Sequence, residues 1–343
     1  MEDNQPVRVV RMAGDGIGPE VMDATCRVLE AAGARITWID ALLGRAGYDV
    51  CGDTLPPATI ELLREHRYGL KGPTETIQGG GLRSANVRMR EQLELYAGFR
   101  PARTFAGIAD ARPGVNIIVW REGTEGLYAA RETVDRTARS ATTTGIFTYD
   151  AMARLVRRAC AYMRHHGLTE LVHVGKSNIM KETYGLYEQA ARDVVADFPR
   201  IKLTLMNFDA FLMEMVRFPE RHRVVVSENF MGDGLSEMCA GLVGGPGLVG
   251  GANYGDNRRA VFEAMHGTAP LIAGKGIANP TALILSGIML LDHIGQAEQA
   301  RRVEGALLRT FELGIGTGDL VGPTKRVNTA AFADALIEQF PLI

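Results

Sequence analysis

Short apolar runs alternate with amphipathic stretches along this chain, and only one broad class of fold is built in that order. The first pair is a run from Val7 to Met12 and a stretch from Val21 to Ala32. A glycine-rich turn joins them, and Pro19 stands in the first helical turn, so we predict a strand, a turn and a helix. The pattern recurs in predicted strands and helices at Ile117 to Trp120, Tyr149 to His165, Leu171 to Val174, Lys181 to Asp197, Leu203 to Asn207 and Val224 to Val226. Strands and helices in this alternation predict an α/β fold.

The composition is that of an ordinary globular chain. Of its 343 residues, 46% are hydrophobic and 23% are charged, which allows one large or two medium domains and indicates neither disorder nor a membrane protein. A formal net charge of -2 gives no general attraction to polyanions, so we expect no nucleic-acid partner. The first residues hold neither a basic nor an apolar segment, which favours a cytoplasmic protein over a secreted one. The 4 cysteines form no C-x-x-C pair, so we expect buried thiols rather than a zinc site or disulfides.

Three arginines, Arg90, Arg100 and Arg121, stand in one third of the chain. A guanidinium group binds a carboxylate through two parallel hydrogen bonds, so several of them in one site suit a di- or tricarboxylic acid. Tyr128 and Lys176 follow them in the sequence and would add proton-transfer groups to such a site. The set therefore predicts an enzyme rather than a carrier.

A group of carboxylates predicts a metal site. Asp233 and Glu237 are four residues apart, which places both on one face of a helix, and Asp209 lies upstream after a predicted strand. Three carboxylates without histidine or cysteine suit a hard divalent ion such as Mg²⁺ or Mn²⁺. A solvated acidic face remains the alternative.

Two glycine-containing segments are candidate cofactor loops. The Gly14 to Gly18 segment lacks the G-x-G-x-x-G spacing and has no acidic residue about twenty positions on, so we predict a tight turn there and no dinucleotide site. The segment from Glu263 to Pro270, followed by Ala273 to Pro280, is glycine-rich and polar, and its backbone N–H groups could face a phosphate. For His266 within this segment, the alternative to cofactor binding is a purely structural role.

The segment from Ala129 to Thr148 is rich in Thr, Arg and Ala and has the pattern of neither a buried strand nor a good helix. We predict that it leaves the main body of the protein. An intersubunit arm and a solvated loop are equally compatible with its composition.

Seven ordered blocks carry a family resemblance. The chain resembles the β-decarboxylating dehydrogenases, which include isocitrate, isopropylmalate, homoisocitrate and tartrate dehydrogenases, from about Val7 to Phe340. The blocks begin at Gly14 (GDGIGPE), Lys71 (KGP), Arg88 (RMREQLELYAGFRP), Arg121 (REGTEGLY), Lys176 (KSNIMK), Gly232 (GDGLS) and His266 (HGTAP).

The resemblance implies two α/β domains with a cleft between them and no Rossmann fold. The large domain, built from residues 1–98 and 252–343, would bind the cofactor, and residues 99–251 would form the small domain with the dimer interface. Residues of about 129–148 would clasp a second subunit. The resemblance also implies a homodimer with shared active sites, in which Lys176 and Asp209 come from the neighbouring subunit.

The same resemblance implies roles for individual residues. Substrate contacts fall on Ser84, Asn86, Arg90, Arg100, Arg121 and Asn178. The proton-transfer pair is Tyr128 and Lys176, and the metal ligands are Asp209, Asp233 and Glu237. Cofactor contacts fall on Lys71, Thr76, Glu263, His266, Gly267, Thr268, Ala269, Leu271 and Asn279.

Substrate choice depends on the segment before Arg90. Ser84 and Asn86 match the polar residues with which isocitrate dehydrogenases receive a carboxymethyl group, whereas an isopropyl group would leave them unpaired. Isocitrate is therefore the first expectation. An isosteric acid such as a phosphonomethylmalate, or isopropylmalate or tartrate, is the alternative, and so is a non-catalytic regulatory subunit of the same fold.

The chain departs from the family pattern at three positions. Leu271 replaces the aspartate of many NAD-using members and is not the lysine of some NADP-using ones, so NAD is expected and NADP is possible. Glu237 replaces an aspartate as a metal ligand. Glu75 stands where a small residue commonly faces the nicotinamide, and its carboxylate would either repel an acidic substrate or favour the oxidised ring.

Overall fold

A computed structural model describes residues 5–75, 83–129 and 131–340. Eleven α-helices lie in this part of the chain, and their bounds are as follows: α1 Gly18–Ala31, α2 Arg45–Cys51, α3 Pro57–His66, α4 Ala85–Gln92, α5 Tyr149–His166, α6 Lys181–Ala196, α7 Phe208–Arg217, α8 Asn229–Leu242, α9 Thr281–His293, α10 Ala297–Glu312 and α11 Thr329–Ile337. The prediction of an α/β fold is confirmed. None of these helices is long and apolar enough to span a membrane.

The strands have these bounds: β1 Val7–Met12, β2 Ile36–Asp40, β3 Tyr68–Lys71, β4 Ala97–Arg103, β5 Asn116–Glu122, β6 Arg131–Asp135, β7 Ser140–Thr144, β8 Glu170–Gly175, β9 Lys202–Asn207, β10 Val224–Ser227, β11 Gly250–Tyr254, β12 Ala260–Ala264, β13 Ile315–Thr317 and β14 Lys325–Val327. Ten of them form one sheet in the order β2-β1-β3-β12-β11-β4-β5-β10-β8-β9. The remaining four form two small two-stranded sheets, β13 with β14 and β6 with β7.

The large sheet is mixed, with two parallel blocks and an antiparallel centre. β2, β1, β3 and β12 are parallel to one another, as are β5, β10, β8 and β9. The pairings β12–β11, β11–β4 and β4–β5 between the blocks are antiparallel. The first block comes from the two ends of the chain and the second from its middle. This order differs from the parallel 3-2-1-4-5-6 arrangement of dinucleotide-binding sheets.

Helices bury their apolar faces against the sheet and against each other. In α1 the buried residues recur at three- and four-residue spacings, as in Val21, Thr25, Val28 and Leu29. Fully buried aromatic side chains such as Trp120 and Phe262 occupy the core of the sheet. The predicted strand-turn-helix at the start of the chain and the predicted strands and helices after Ile117 all form.

The segment of residues 129–148 contains a β-hairpin, β6 with β7, that pairs with no other strand. Every residue of β7 is exposed. The departure from the main body is as predicted, but the segment contains regular strands. The sequence shows no apolar alternation there because residues 132–135 and 140–144 of the two strands are exposed in this chain. The β-branched threonines are still compatible with strands.

Candidate active site

Most of the predicted site residues line one pocket of about 750 Å³. It lies at the carboxyl ends of β3 and β12 and is closed on other sides by α4, α8 and the start of the hairpin. The predicted residues that it brings together are Lys71, Ser84, Asn86, Arg90, Arg100, Arg121, Tyr128, Asp233, Glu237, Glu263, His266 and Gly267. Thr268 lines an adjacent cavity, and Thr76 lies outside the described residues.

Two adjacent antiparallel strands place two of the arginines. In the β4–β5 pairing Phe99 lies opposite Trp120, and their rings pack 4.8 Å apart on one face of the sheet. Because side chains alternate along a strand, Arg100 and Arg121 project from the other face. Helix α8 approaches Arg121 closely: a Cβ added at Gly232 would lie 2.9 Å from the Cγ of that arginine. A glycine is therefore required at this position.

Arg100 is held by a buried polar network. It donates to the carbonyl of Ala252 at 2.8 Å, to Asn253 Oδ1 at 2.8 Å and to Glu263 Oε1 at 3.0 Å. Glu263 also pairs with Lys71 at 2.9 Å and accepts from Asn253 at 2.6 Å. Burial alone would raise the pKa of Glu263, but Lys71 and Arg100 hold that pKa well below its ordinary value. Glu263 thus pairs with both Lys71 and Arg100 at the edge of the pocket.

Arg121 lies between a neutral and a charged acceptor. Its Nε and Nη2 donate to Asn229 Oδ1 at 3.1 and 2.8 Å, and its Nη1 donates to Asp233. The hydroxyl of Tyr128 donates to the other oxygen of Asp233 at 3.0 Å. Burial and then the charge of Asp233 raise the pKa of Tyr128 above its ordinary value. Tyr128 is therefore protonated at neutral pH and can act as a proton donor.

Arg90 has a different environment from the other two arginines. It is buried on α4, its Nε has no hydrogen-bond partner, and within the described residues no carboxylate forms an ion pair with it. Burial and then the charge of Arg121 lower the pKa of Arg90 to about 10. A buried guanidinium without a counter-ion is costly, so this side chain favours an anionic ligand.

Asp233 and Glu237 lie on one face of α8 and both line the pocket, as their spacing predicted. Burial and then the charge of Asp233 raise the pKa of Glu237. Two neighbouring carboxylates of this kind are oxygen donors that fit a hard divalent cation. Among the described residues of a single chain, no group of three His, Cys, Asp or Glu side chains is arranged to hold a metal ion.

Lys176 and Asp209 lie away from this pocket and pair with each other. Lys176 Nζ is 2.5 Å from Asp209 Oδ1, and this bond lowers the pKa of the carboxyl group. Asn178 follows Lys176 in the same turn after β8 and does not line the pocket either. Exposed apolar side chains lie close to both residues in the sequence: Ile179 is 69% exposed and Met213 is 55% exposed.

The predicted cofactor loop borders the pocket on the side of β12. Burial lowers the pKa of His266, and its Nδ1 lies 3.0 Å from the carbonyl of Gly267. Asn279 is buried and donates to Asp319 at 3.1 Å. Leu271 is 85% exposed, and Ala269 precedes it with a positive φ of 40°.

Glu75 and the glycine turn after β1 belong to the adjacent cavity rather than to the main pocket. Glu75 lies 3.8 Å from Arg45, and its backbone N–H donates to Asp15 at 2.8 Å. The backbone N–H of Ile17 donates to the carbonyl of Thr268 at 2.9 Å, so the turn supports the predicted cofactor loop.

Sequence reasoning missed three polar residues of the site: the buried Asn229 and Asn253, and the exposed Asp319. Asn253 and Asp319 have no recognisable motif spacing to the residues that they contact. Asn229 had a weak signal, because it stands four residues before Asp233 and thus on the same helical face. Leu127, Glu132, Thr143 and Phe230 also line the pocket and were not predicted.

An α/β fold with three arginines, paired carboxylates and a tyrosine in one pocket suits an enzyme that acts on a multiply charged acid. Comparison with known proteins agrees: a family model described as "Isocitrate/isopropylmalate dehydrogenase" matches residues 8–336. The chain therefore belongs to the isocitrate/isopropylmalate dehydrogenase family.

Individual relatives are similar over nearly the whole chain. An isocitrate/homoisocitrate dehydrogenase of Thermus thermophilus is 39% identical, covering 96% of this chain and 98% of that protein. A regulatory subunit of the mitochondrial NAD isocitrate dehydrogenase of Dictyostelium discoideum is 38% identical, covering 97% of this chain and 91% of that protein. The crystal structure of isocitrate dehydrogenase from Methylococcus capsulatus matches with a TM-score of 0.93 at 41% identity, covering 97% of this chain and 98% of that one.

Proposed function

We propose that this protein oxidises and decarboxylates isocitrate to 2-oxoglutarate, with NAD as the preferred hydride acceptor. The observation that carries the proposal is Arg90, a buried cation that lacks a counter-ion beside two further arginines. Such a pocket is electrostatically incomplete until an anion enters it. A tricarboxylic acid supplies one carboxylate for each of Arg90, Arg100 and Arg121.

The wall before Arg90 supports isocitrate over isopropylmalate. Ser84 occupies the N-cap position of α4, yet its hydroxyl makes no capping hydrogen bond. Asn86 accepts from Thr74 at 3.2 Å, which leaves its amide N–H₂ group for a ligand. Both can donate to a carboxymethyl group, and both would be left unpaired by an isopropyl group.

Asp233 and Glu237 would hold a Mg²⁺ or Mn²⁺ ion, and Asp209 would reach the same ion from a neighbouring subunit. Bound there, the ion would act as a Lewis acid that stabilises negative charge developing on the substrate.

The protein side chains have separate tasks in the reaction. The arginines hold the carboxylates and orient the hydroxyl-bearing carbon. Lys176 of the neighbouring subunit takes the hydroxyl proton, directly or through water, while the hydride passes to the nicotinamide. Loss of CO₂ from the resulting 3-oxo acid leaves an enolate, and Tyr128, whose raised pKa keeps it protonated, donates the proton to the enolate carbon.

A homodimer with shared active sites is part of the proposal. Lys176 and Asp209 lie outside the pocket of their own chain, on a surface with exposed apolar side chains, and a second chain would carry them into its partner's pocket. Residues 1–98 with 252–343 would form the large domain and residues 99–251 the small one, separated by a cleft. Residues 129–148, with their exposed hairpin, would clasp the second subunit.

The cofactor contacts are proposed on the loop beside β12. His266, Gly267, Thr268 and Ala269 would face the dinucleotide, with Asn279 beneath. Leu271 offers no cation for a 2′-phosphate, which supports NAD, and NADP remains the alternative.

A regulatory subunit is the second candidate, because one of the relatives is named as such. Against it, Arg90, Tyr128, Lys176 and Asp233 are all present in this chain. The test is to follow the reduced nicotinamide by absorbance with isocitrate, isopropylmalate and tartrate, each with NAD and NADP and with Mg²⁺ or Mn²⁺. Turnover with isocitrate supports the proposal. Isocitrate binding without turnover under any combination would favour the regulatory subunit.

The role of Tyr128 has a test of its own. Tyr128→Phe should slow decarboxylation or reprotonation more than hydride transfer, because it removes only the proton donor. Single-turnover kinetics with deuterated isocitrate separate these steps. Equal losses in both steps would contradict the assignment.

A further inference from the structure

Asn229 links the side chain of Arg121 to the loop that carries Tyr128. It is the first residue of α8 and only 2% exposed. Its Oδ1 accepts two hydrogen bonds from Arg121, at 3.1 and 2.8 Å. Its Nδ2 donates to the carbonyl of Glu125 at 2.9 Å, immediately before the short 3₁₀-helix Gly126–Ala129 that carries Tyr128.

The backbone around this amide is itself fixed. Glu228 caps α8 by accepting from the N–H groups of Phe230 and Met231 at 2.8 and 2.7 Å. Glu125 accepts from the N–H and hydroxyl of Thr148 at 2.8 and 2.6 Å, which ties the far end of the hairpin segment to the same loop. Both elements that Asn229 joins, the start of α8 and the loop at Glu125, are therefore held by further hydrogen bonds.

The amide has two properties that a carboxylate of the same shape lacks. Its oxygen orients Arg121 without adding a further negative charge beside the guanidinium. Its nitrogen can donate to the Glu125 carbonyl, whereas an aspartate oxygen would be repelled by that carbonyl. Arg121 already has one anionic neighbour, Asp233, and a second would cancel its attraction for a substrate carboxylate.

We propose that Asn229 is a positioning residue that holds Arg121 in a fixed relation to the Tyr128 loop while leaving the charge of Arg121 available to the substrate. This inference rests on the proposed function, in which Arg121 binds a carboxylate of isocitrate.

The test is calorimetric measurement of isocitrate dissociation constants over a range of ionic strengths. Asn229→Asp changes one atom and adds one negative charge beside Arg121. We expect affinity to fall at least tenfold at low salt, and the salt dependence of binding to become shallower because the pocket has lost one net positive charge.

A matched control exists on the same strand as Arg121. Asn116 is exposed at the start of β5 and accepts from Arg223, so Asn116→Asp makes the same change beside an arginine. It lies five residues from Arg121, about 17 Å along the strand at about 3.3 Å per residue. This variant should bind isocitrate as the wild type does.

Asn229→Ser replaces the amide by a shorter hydroxyl, which withdraws the acceptor from Arg121 without adding charge, and it serves also if Asn229→Asp does not fold. It should lower kcat/KM about tenfold and keep the salt dependence of the wild type, because only positioning is lost. The inference would be overturned if Asn229→Asp bound isocitrate with wild-type affinity or kept the wild-type salt dependence. It would also be overturned if Asn229→Ser had an unchanged kcat/KM. Failure of the wild type to bind isocitrate would instead overturn the proposed function, and this inference with it.

Discussion

Replacing Arg90 with methionine should make the ligand-free protein more stable. Burial and the charge of Arg121 lower the pKa of Arg90 to about 10 from the ordinary 12.5. Since one pKa unit is worth about 1.4 kcal/mol, keeping this arginine charged in the folded protein costs about 3 kcal/mol. The charged form is the disfavoured one, so the cost is fully present at neutral pH and is lost only as the pH rises above 10. Methionine is unbranched, flexible and uncharged, although shorter, and the free energy of unfolding at pH 7 should rise by about 1 to 3 kcal/mol.

The same change should abolish most of the response to substrate. Removing one partner of a buried arginine–carboxylate contact costs about 2 to 5 kcal/mol of binding, which is at least about thirtyfold in the dissociation constant. Urea unfolding at pH 7 with and without isocitrate and Mg²⁺ measures both effects. At a ligand concentration of about 100 dissociation constants the wild type should gain about 2.7 kcal/mol, and Arg90→Met much less.

Arg88 supplies the control on the same helix. It donates to both carboxylate oxygens of Asp53, at 2.6 and 2.8 Å, and does not line the pocket. Arg88→Met should lose about 1 kcal/mol of stability and keep the full stabilisation by isocitrate. The reasoning would be refuted if Arg90→Met lost stability as Arg88→Met does, or if it still responded to isocitrate as the wild type does.

Three further predictions concern other parts of the molecule. Mixing Tyr128→Phe with Lys176→Met subunits should restore about a quarter of wild-type activity if sites are shared, because half of the dimers are hybrids with one intact site; a mixture as inactive as its parents would contradict sharing. His173 is buried with both ring nitrogens unpartnered, and burial lowers its pKa to about 4 from 6.5, so stability should fall as the pH drops through that interval. His173→Leu should remove this slope, a relative gain of roughly 3 kcal/mol near pH 4 in urea unfolding, and an unchanged slope would exclude this histidine as its source. Leu271→Asp should shift the ratio of kcat/KM values for NAD and NADP at least about tenfold toward NAD, since a carboxylate repels a 2′-phosphate; an unchanged ratio would place that phosphate elsewhere.

The class of fold followed from periodicity, but the order of the strands did not. Runs such as Val224 to Val226 are apolar throughout because parallel strands are covered on both faces, and this pattern was visible in the sequence. The antiparallel centre was not visible, because the pairing between β4 and β11 joins Phe99 to Ala252, which are nearly half of the chain apart in sequence. No local pattern encodes a contact of that length.

The residues that line the pocket could be predicted from the sequence where their side-chain chemistry is distinctive. Arginines and carboxylates of the family blocks lie together in one pocket, whereas Lys176 and Asp209 lie apart from it. The orientation of Glu75 toward Arg45 and the roles of Asn229 and Asn253 could not be predicted. Such contacts depend on which neutral or charged group lies next to the side chain in the folded protein. In sequence, an asparagine that orients an arginine looks the same as one that caps a helix.

The positive charges of the three arginines are balanced to different extents by neighbouring carboxylates, and this difference bears on substrate choice. Arg100 shares Glu263 with Lys71, and Arg121 has one carboxylate and one amide. Arg90 forms no ion pair among the described residues, and only the more distant charges of Glu263 and Asp233 act on it. A monocarboxylate can satisfy Arg90 alone and would then leave the other two with the partners they already have. A tricarboxylate gains from every arginine, but most from Arg90, because that contact replaces no existing one. Selectivity for highly charged acids should therefore depend on Arg121 and Arg100, whereas the affinity common to all acids should depend on Arg90.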